Sequence, residues 1–280
     1  MGRILLIGRG DELSAILSAS RSELREHDFE RCAGNAEALQ HLRARAVDVV
    51  VTDPSTAIAE DLALAREIAR VRPGVRLIAV LAHAASREEL IEALRAEVFA
   101  CFTMPVDPHE LSDMLRHALR ATENTRNGIE VVSGVPQWFT MRVSCHRLTA
   151  ERLVQFMIEY QRALPDQERD LLIAAFREML LNAMEHGAGF DADKVIEVTA
   201  AKTARAIIYH FRDPGLGFNR DELAHAAQSG EPEHVLATAL HRAEMGLRPG
   251  GFGMLIARQI ADELVYNERG NEVLLIKHLT

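Results

Sequence analysis

Five short apolar runs alternate with amphipathic stretches over roughly the first 120 residues, and this alternation limits the possible fold more than any other feature. The runs are RILLIG (3–8), a weaker FERCA (29–33), VDVVVTD (47–53), VRLIAVLA (75–82) and FACFTM (99–104). Between them lie DELSAILSASRSELREH, NAEALQHLRARA, AEDLALAREIARV and SREELIEALRAE. Continuous β-branched runs between helices ask for cover on both faces, which a parallel sheet flanked by helices provides. A final helix opens at Asp107 as N-cap, with Pro108 at the first helical position, where a missing N–H does no harm. Residues 1–121 therefore predict a doubly wound, five-stranded α/β domain that binds ligands beyond the carboxyl ends of its strands.

The remainder of the 280 residues is long enough for a second domain with its own core. A net charge of -9 gives no electrostatic support to coating nucleic acid, so no direct nucleic-acid partner is expected. No apolar run has membrane-spanning length, and MGRILLIGRG is too short for a leader. It reads as the first strand of a cytoplasmic protein. Cys32, Cys101 and Cys145 are widely spaced without a CxxC pair, and are expected as reduced, mostly buried thiols.

The order and length of the first half resemble the receiver domain of two-component response regulators, which implies a flavodoxin-like sheet. Asp53 falls at that family's phosphoacceptor position, and Met104-Pro105 at its Lys-Pro pair. The acidic pair that holds Mg²⁺ in the family reads Gly8 and Arg9 here, and Asp11 fits a helix N-cap as well as a ligand. The phosphate-contacting Thr or Ser is Leu81, and the lysine is Met104. A phosphoryl group arriving at Asp53 would meet little cationic charge. Two readings stay open: Asp53 as a possible phosphoacceptor, or a strand-closing aspartate in a pseudo-receiver that binds protein. Gly8-Arg9-Gly10 lacks the third glycine of a dinucleotide fingerprint.

Residues 121–136 are polar and turn-rich and read as a linker, so domains are expected at 1–121 and 137–280 with 122–136 between them. WFTMRVSC reads as a strand and TAERLVQFMIEYQRAL as a helix with Thr149 as candidate N-cap. The helix at 165–189 puts Leu172, Phe176, Met179, Leu180 and Ala183 on one apolar face. Glu178 and Asn182, four apart, stack beside it. Asn is a poor mid-helix residue, so it is either bonded to a nearby loop or used as a metal-ligand amide. A strand then ends in Asp213-Pro-Gly215-Leu-Gly217-Phe218, a turn that lets the chain pass close under a flat ligand. RPGGFG opens a further helix with bare backbone, suited to phosphate. DELVYNERGNEVLLIKHL closes with two strand-like runs.

In this order the motifs resemble the Bergerat-type (GHKL) ATPases over residues 136–280, and most of all the small anti-sigma-factor serine kinases, the RsbW-like family. The resemblance implies a C-terminal Bergerat-fold α/β sandwich that binds ATP and Mg²⁺. Asn182 would hold the Mg²⁺, Glu178 would act as general base, and Asp213 would bind the adenine amino group. Gly215 and Gly217 would make room beside the ring, and Gly251 and Gly253 would lie against the phosphates. Residues 219–249, with Arg242 and Arg248, would form the ATP lid. Glu185 and His186 read as the C-terminal turn of their helix with Gly187 as its stop. Asn271 stands where the family often places Thr.

The resemblance implies an ATP-dependent serine/threonine protein kinase. It would act on a STAS-type anti-sigma-factor antagonist or sequester a sigma factor by partner switching, and is expected as a homodimer with no membrane partner. Two other readings remain. One is a nucleotide-binding interaction scaffold without turnover. The other is an atypical histidine kinase, for which His146 beside a strand is poorly placed and residues 121–150 are too short for a helical hairpin.

Overall fold

The computed structural model describes residues 2–19, 24, 26–120, 128–217 and 257–279. The chain divides into two compact units, Met1–Val131 with Glu151–Ala163, and Val132–Ala150 with Leu164–Thr280.

The first unit is built on β1 (Arg3–Ile7), β2 (Asp28–Cys32), β3 (Val49–Thr52), β4 (Arg76–Leu81) and β5 (Ala100–Thr103). All pair in parallel in the order β2-β1-β3-β4-β5, a flavodoxin-like doubly wound sheet. The helices are α1 (Glu12–Ala19), α2 (Asn35–Ala44), α3 (Ile58–Val71), α4 (Arg87–Arg95) and α5 (Pro108–Arg120). Every residue of β3 and β5 is buried, which explains their unbroken apolar character. The Asp107 side chain accepts from the His109 N–H at 2.7 Å, as expected of an N-cap. Ser86 and Glu89 form a capping box on α4.

Helix α6 (Arg147–Tyr160) follows β7 in sequence, yet residues 151–163 belong to this first unit. Its polar side chains occupy the outer edge of β5, where a sixth strand would otherwise pair. The Gln155 amide accepts from the Cys101 N–H at 3.1 Å and donates to the Cys101 carbonyl, as a neighbouring peptide group would. Glu159 accepts from the Thr103 N–H at 3.2 Å and from its hydroxyl at 2.7 Å. Arg152 donates to the Phe99 carbonyl at 2.8 Å. Buried backbone groups on a sheet edge need partners, and here side chains supply them. The helix also starts earlier than expected. The Ala150 N–H bonds the His146 carbonyl at 3.1 Å, and the Leu148 N–H bonds His146 Nδ1 at 3.2 Å. His146 thus takes the capping place expected of Thr149, which is buried with its hydroxyl 3.1 Å from that of Ser144.

The second unit carries β6 (Ile129–Val135), β7 (Trp138–Ser144), β8 (Val195–Lys202), β9 (Ala206–Arg212), β10 (Glu263–Tyr266) and β11 (Glu272–His278). They form one sheet in the order β10-β11-β9-β8-β7-β6. The pairs from β7 through to β10 are antiparallel. All of β6 lies within the stretch 122–136 that the sequence predicts as a linker. Val132 and Val135 are exposed on this edge strand, and the polar, turn-rich residues around its four apolar ones give the segment the look of a loop. Helix α7 (Asp166–Asn182) continues into a π-helical turn, Ala183–Gly187. Its expected apolar face is buried, with the Phe176 ring 4.8 Å from Tyr209 and 5.2 Å from Phe211.

The three cysteines are buried and unpaired, and burial pushes the Cys32 and Cys145 thiols up to about 11. Among the described residues no helix is long and apolar enough to cross a membrane.

Candidate nucleotide site

Three elements of the second unit meet at Asp213: the end of β9, the π turn after α7, and the start of β11. The Asp213 N–H bonds the Asn271 carbonyl at 3.0 Å, and the Asn271 side-chain amide donates to the Asp213 carbonyl at 3.2 Å. Asn271 is itself held by Asn267, whose Oδ1 accepts from the Asn271 N–H at 3.1 Å and whose amide donates to Asn271 Oδ1 at 3.0 Å. The backbone at Asp213 is thereby fixed from both sides, which points its carboxylate toward the end of α7.

That carboxylate sits in a space kept open by glycines. A Cβ on Gly187 would lie 2.2 Å from Asp213 Cγ, and one on Gly215 would lie 2.7 Å from Oδ1 and 2.9 Å from the Gly187 Cα. Asp213 Oδ1 accepts from the Gly215 N–H at 2.8 Å, while Oδ2 takes no hydrogen bond from a described residue. Burial pushes the Asp213 carboxyl above its ordinary value, and the Gly215 N–H, Arg269 and His186 draw it part of the way back. A half-buried carboxylate with one oxygen uncommitted among the described residues is suited to accept from an amine. Gly217 adopts φ +81°, and a Cβ there would stand 1.8 Å from the Arg269 carbonyl, so this glycine is required by the β10–β11 turn.

Glu178 and Asn182 lie one turn apart on α7, both half-buried. The Glu178 carboxylate is 4.0 Å from the Arg177 guanidinium. Asn182 directly precedes the π turn, a local widening of the helix that often accompanies functional sites. The helix stop is Gly189, not Gly187. Gly189 has φ +68°, and the Phe190 N–H reaches back to the Met184 carbonyl at 2.9 Å. Gly187 is instead the residue that admits the Asp213 carboxylate. Gly251, Gly253, Arg242, Arg248 and the expected lid at 219–249 lie outside the described residues.

Asp213, Gly215, Gly217, Glu178 and Asn182 are all named by the sequence, whereas the parts played by Gly187 and Asn271 emerge only from the structure. The sequence alone suggests Gly187 as a helix stop and Asn271 as a departure from Thr. Gly189, two residues on, leaves Gly187 unneeded as a helix stop, but nothing near Gly187 or Asn271 in sequence points to Asp213 as its partner.

In the first unit, Asp53 is 1% exposed and follows β3. Its Oδ1 accepts from the Ser55 N–H at 2.7 Å and from the Ser55 hydroxyl, and its Oδ2 accepts from the Gly10 N–H at 2.9 Å. The Arg31 guanidinium approaches Oδ2 at 3.3 Å and is anchored by the Gly8 carbonyl at 3.0 Å and by the Gly10 carbonyl. Gly8 has φ +134°, and a Cβ there would lie 2.1 Å from the Asp53 carboxylate.

Residues 146–277 match the family model of the histidine kinase-like ATPase domain. The match spans the site around Asp213, together with α6 and the C-terminal hairpin. Among solved structures, a CheY-like response regulator receiver domain protein from Methanospirillum hungatei is similar at 25% identity and TM-score 0.36, covering 42% of this chain and 94% of its own. A receiver domain protein from Clostridium thermocellum is similar at 23% identity and TM-score 0.35, with the same coverage. A Francisella receiver domain is similar at 18% identity and TM-score 0.37, covering 43% of this chain and 98% of its own. No curated protein matches the chain significantly. The C-terminal part is thus similar to the histidine kinase-like ATPase domain, and the N-terminal sheet keeps the flavodoxin-like strand order.

Proposed function

We propose that the chain is an ATP-dependent serine/threonine protein kinase of the anti-sigma-factor type, with the first unit as a regulatory pseudo-receiver. The observation that carries this reading is the Asp213 carboxylate, held open by Gly187 and Gly215 beside a helix that presents Glu178 and Asn182. Asp213 Oδ2 would accept from the adenine amino group. The Asn182 amide oxygen would ligate Mg²⁺, which when bound neutralises charge on the phosphates. Glu178, a half-buried carboxylate, would take the proton of an attacking serine hydroxyl. A STAS-type anti-sigma-factor antagonist is the substrate class, and partner switching with a sigma factor is the circuit. Asp53, already supplied with donors, would serve as a structural anchor and not as a phosphoacceptor.

The test uses the full chain with Mg-ATP and a STAS-domain antagonist. Calorimetry should show saturable ADP and ATP binding, with Mg-ATP affinity lost in Asn182→Ala. Label from the γ-phosphate should pass to a serine or threonine of the antagonist, and Glu178→Gln should stop transfer while leaving ADP binding intact. No nucleotide binding by the native chain would overturn the reading. Binding without transfer to any STAS protein would favour the interaction scaffold instead.

A further inference from the structure

The β10–β11 hairpin departs from an ordinary ladder where it meets Asp213. The register of β11 on β9 pairs Glu272 with Arg212, so Asn271 and Asp213 form the next pair beyond the strand ends. A hydrogen-bonded antiparallel pair exchanges two N–H···O bonds. One is present, from the Asp213 N–H to the Asn271 carbonyl at 3.0 Å. The other is diverted, because the Asn271 N–H goes to Asn267 Oδ1 at 3.1 Å. The return bond to the Asp213 carbonyl comes instead from the Asn271 side-chain amide, at 3.2 Å.

Asn267 organises this exchange. Its Oδ1 also accepts from the Gly270 N–H at 2.8 Å and the Glu272 N–H at 3.2 Å, so one oxygen gathers three consecutive N–H groups of the turn. Its amide donates to Asn271 Oδ1 at 3.0 Å, which leaves Asn271 Nδ2 directed at Asp213. The same turn braces the far end of the glycine segment. The Arg269 carbonyl stands where a Cβ on Gly217 would be, and Arg269 Nε donates to the Leu216 carbonyl at 3.4 Å. A carboxamide supplies both the acceptor and the donor that this arrangement needs, whereas a carboxylate of the same length has no donor.

We propose that Asn267, acting through Asn271, is the positioning residue of the candidate nucleotide site, and that it holds the Asp213 carboxylate in place for a base bearing an exocyclic amine. The inference rests on the reading of Asp213 as the acceptor of an adenine amine, and adds what keeps that acceptor in register. Without the Asn267 amide, the Asn271 carboxamide is free to turn over and set its oxygen against the Asp213 carbonyl, two acceptors with no proton between them. The peptide at Asp213 then loses its support on that side, and the carboxylate its fixed direction.

Calorimetry on the full chain with ADP and inosine diphosphate provides the test, since the two carry the same phosphates and ribose and differ in the base edge presented to Asp213. The native chain should favour ADP by at least about tenfold, because hypoxanthine turns a carbonyl oxygen toward the carboxylate where adenine turns an amine. Asn267→Asp keeps an acceptor for the three N–H groups and removes the donor to Asn271. It should weaken ADP about tenfold and leave inosine diphosphate unchanged, so that most of the preference is lost. Exchange protection of the Gly270, Asn271 and Glu272 amides should persist, which separates a positioning role from a merely structural one. Asn271→Ala, which cuts the link to Asp213 and spares Asn267 Oδ1, should have the same effect and keeps the test decisive if the first variant does not fold. An ADP preference preserved in both variants, or equal weakening of the two nucleotides, would overturn the inference and leave the reading of Asp213 intact. A native chain that binds neither nucleotide, or both alike, would instead overturn the reading on which it rests.

Discussion

Asp53 and Asp213 stand in the same local setting and have opposite uses open to them. Each follows a strand, and each presses against a glycine that could not carry a Cβ, Gly8 at 2.1 Å and Gly187 at 2.2 Å. Asp53 is buried and has donors on both oxygens, namely two N–H groups, a hydroxyl and a guanidinium. Asp213 is half-exposed and engages one oxygen, with burial lifting its pKa. The motif of a strand-terminal aspartate beside a glycine thus says little about function. The donors already present decide whether a carboxylate is a structural fixture or an acceptor awaiting a ligand.

The contrast can be broken most severely at the glycines. Gly8→Ala combines a positive φ with a clash against a carboxylate that has nowhere to move, and should cost the first unit about 3 kcal/mol. Hydrogen exchange of the β1 and β3 amides would register the loss. The next test is one substitution made twice. Asp53→Asn would turn an amide NH₂ toward the N–H of either Gly10 or Ser55, because each oxygen now accepts from one of them. It should destabilise the first unit by about 2 kcal/mol and leave ADP affinity unchanged. Asp213→Asn should do the reverse: stability nearly unchanged, and ADP binding weakened by about 2 kcal/mol, roughly thirtyfold in Kd. Equal effects on both readouts from either variant would erase the distinction.

How much of this was legible in the sequence follows the same division between local and distant causes. β1, β3, β4 and β5 were readable because residues buried on both faces leave continuous apolar runs, and even FERCA became β2 although it is largely exposed. Helix α6 was visible as a helix, but its place was not. Arg152, Gln155 and Glu159 recur at helical spacing like an ordinary solvated stripe, and only the β5 backbone far away in sequence makes them buried hydrogen-bonding groups. At the candidate site, Glu178 and Asn182 could be paired because their relation is a single helical turn. The role of Gly187 arises from Asp213, and that of Asn271 from the backbone at the end of β9, so neither has a local signature. A π turn leaves no period to read.

A third carboxylate, Asp61, sharpens the contrast through its pH dependence. It is fully buried on α3 and accepts from the Thr52 and Thr56 hydroxyls, each at 2.9 Å. Burial raises its pKa from 3.8 to about 6 despite those hydroxyls. A folded-state pKa above the unfolded value means that the folded chain binds the proton more tightly. The resulting stability is present below about pH 4 and is lost as pH rises through about 6. Asp61→Asn keeps an acceptor for the two hydroxyls and removes the titration. The variant should therefore gain about 2 kcal/mol relative to the native chain between pH 4 and pH 7, seen as a divergence of their urea midpoints. Parallel midpoints across that range would mean that Asp61 is ionised as readily in the fold as outside it.

The smallest expected effect concerns Arg31, and it asks what closes the Asp53 site. The guanidinium is about one-third exposed and 3.3 Å from Asp53 Oδ2, so solvent screens much of the attraction. Arg31→Ala should cost about 0.5 kcal/mol, well below the cost of Asp53→Asn, because Gly10 and Ser55 still supply hydrogen bonds to both oxygens. Acetyl phosphate with Mg²⁺ should label neither the native chain nor this variant at Asp53 if those donors hold the carboxylate by themselves. If Arg31→Ala alone permits labelling, the arginine is the lock, and the first unit is one substitution away from an acceptor. That result would place Asp53 nearer to Asp213 than its burial suggests, since both would then be carboxylates whose availability depends on a single neighbouring side chain.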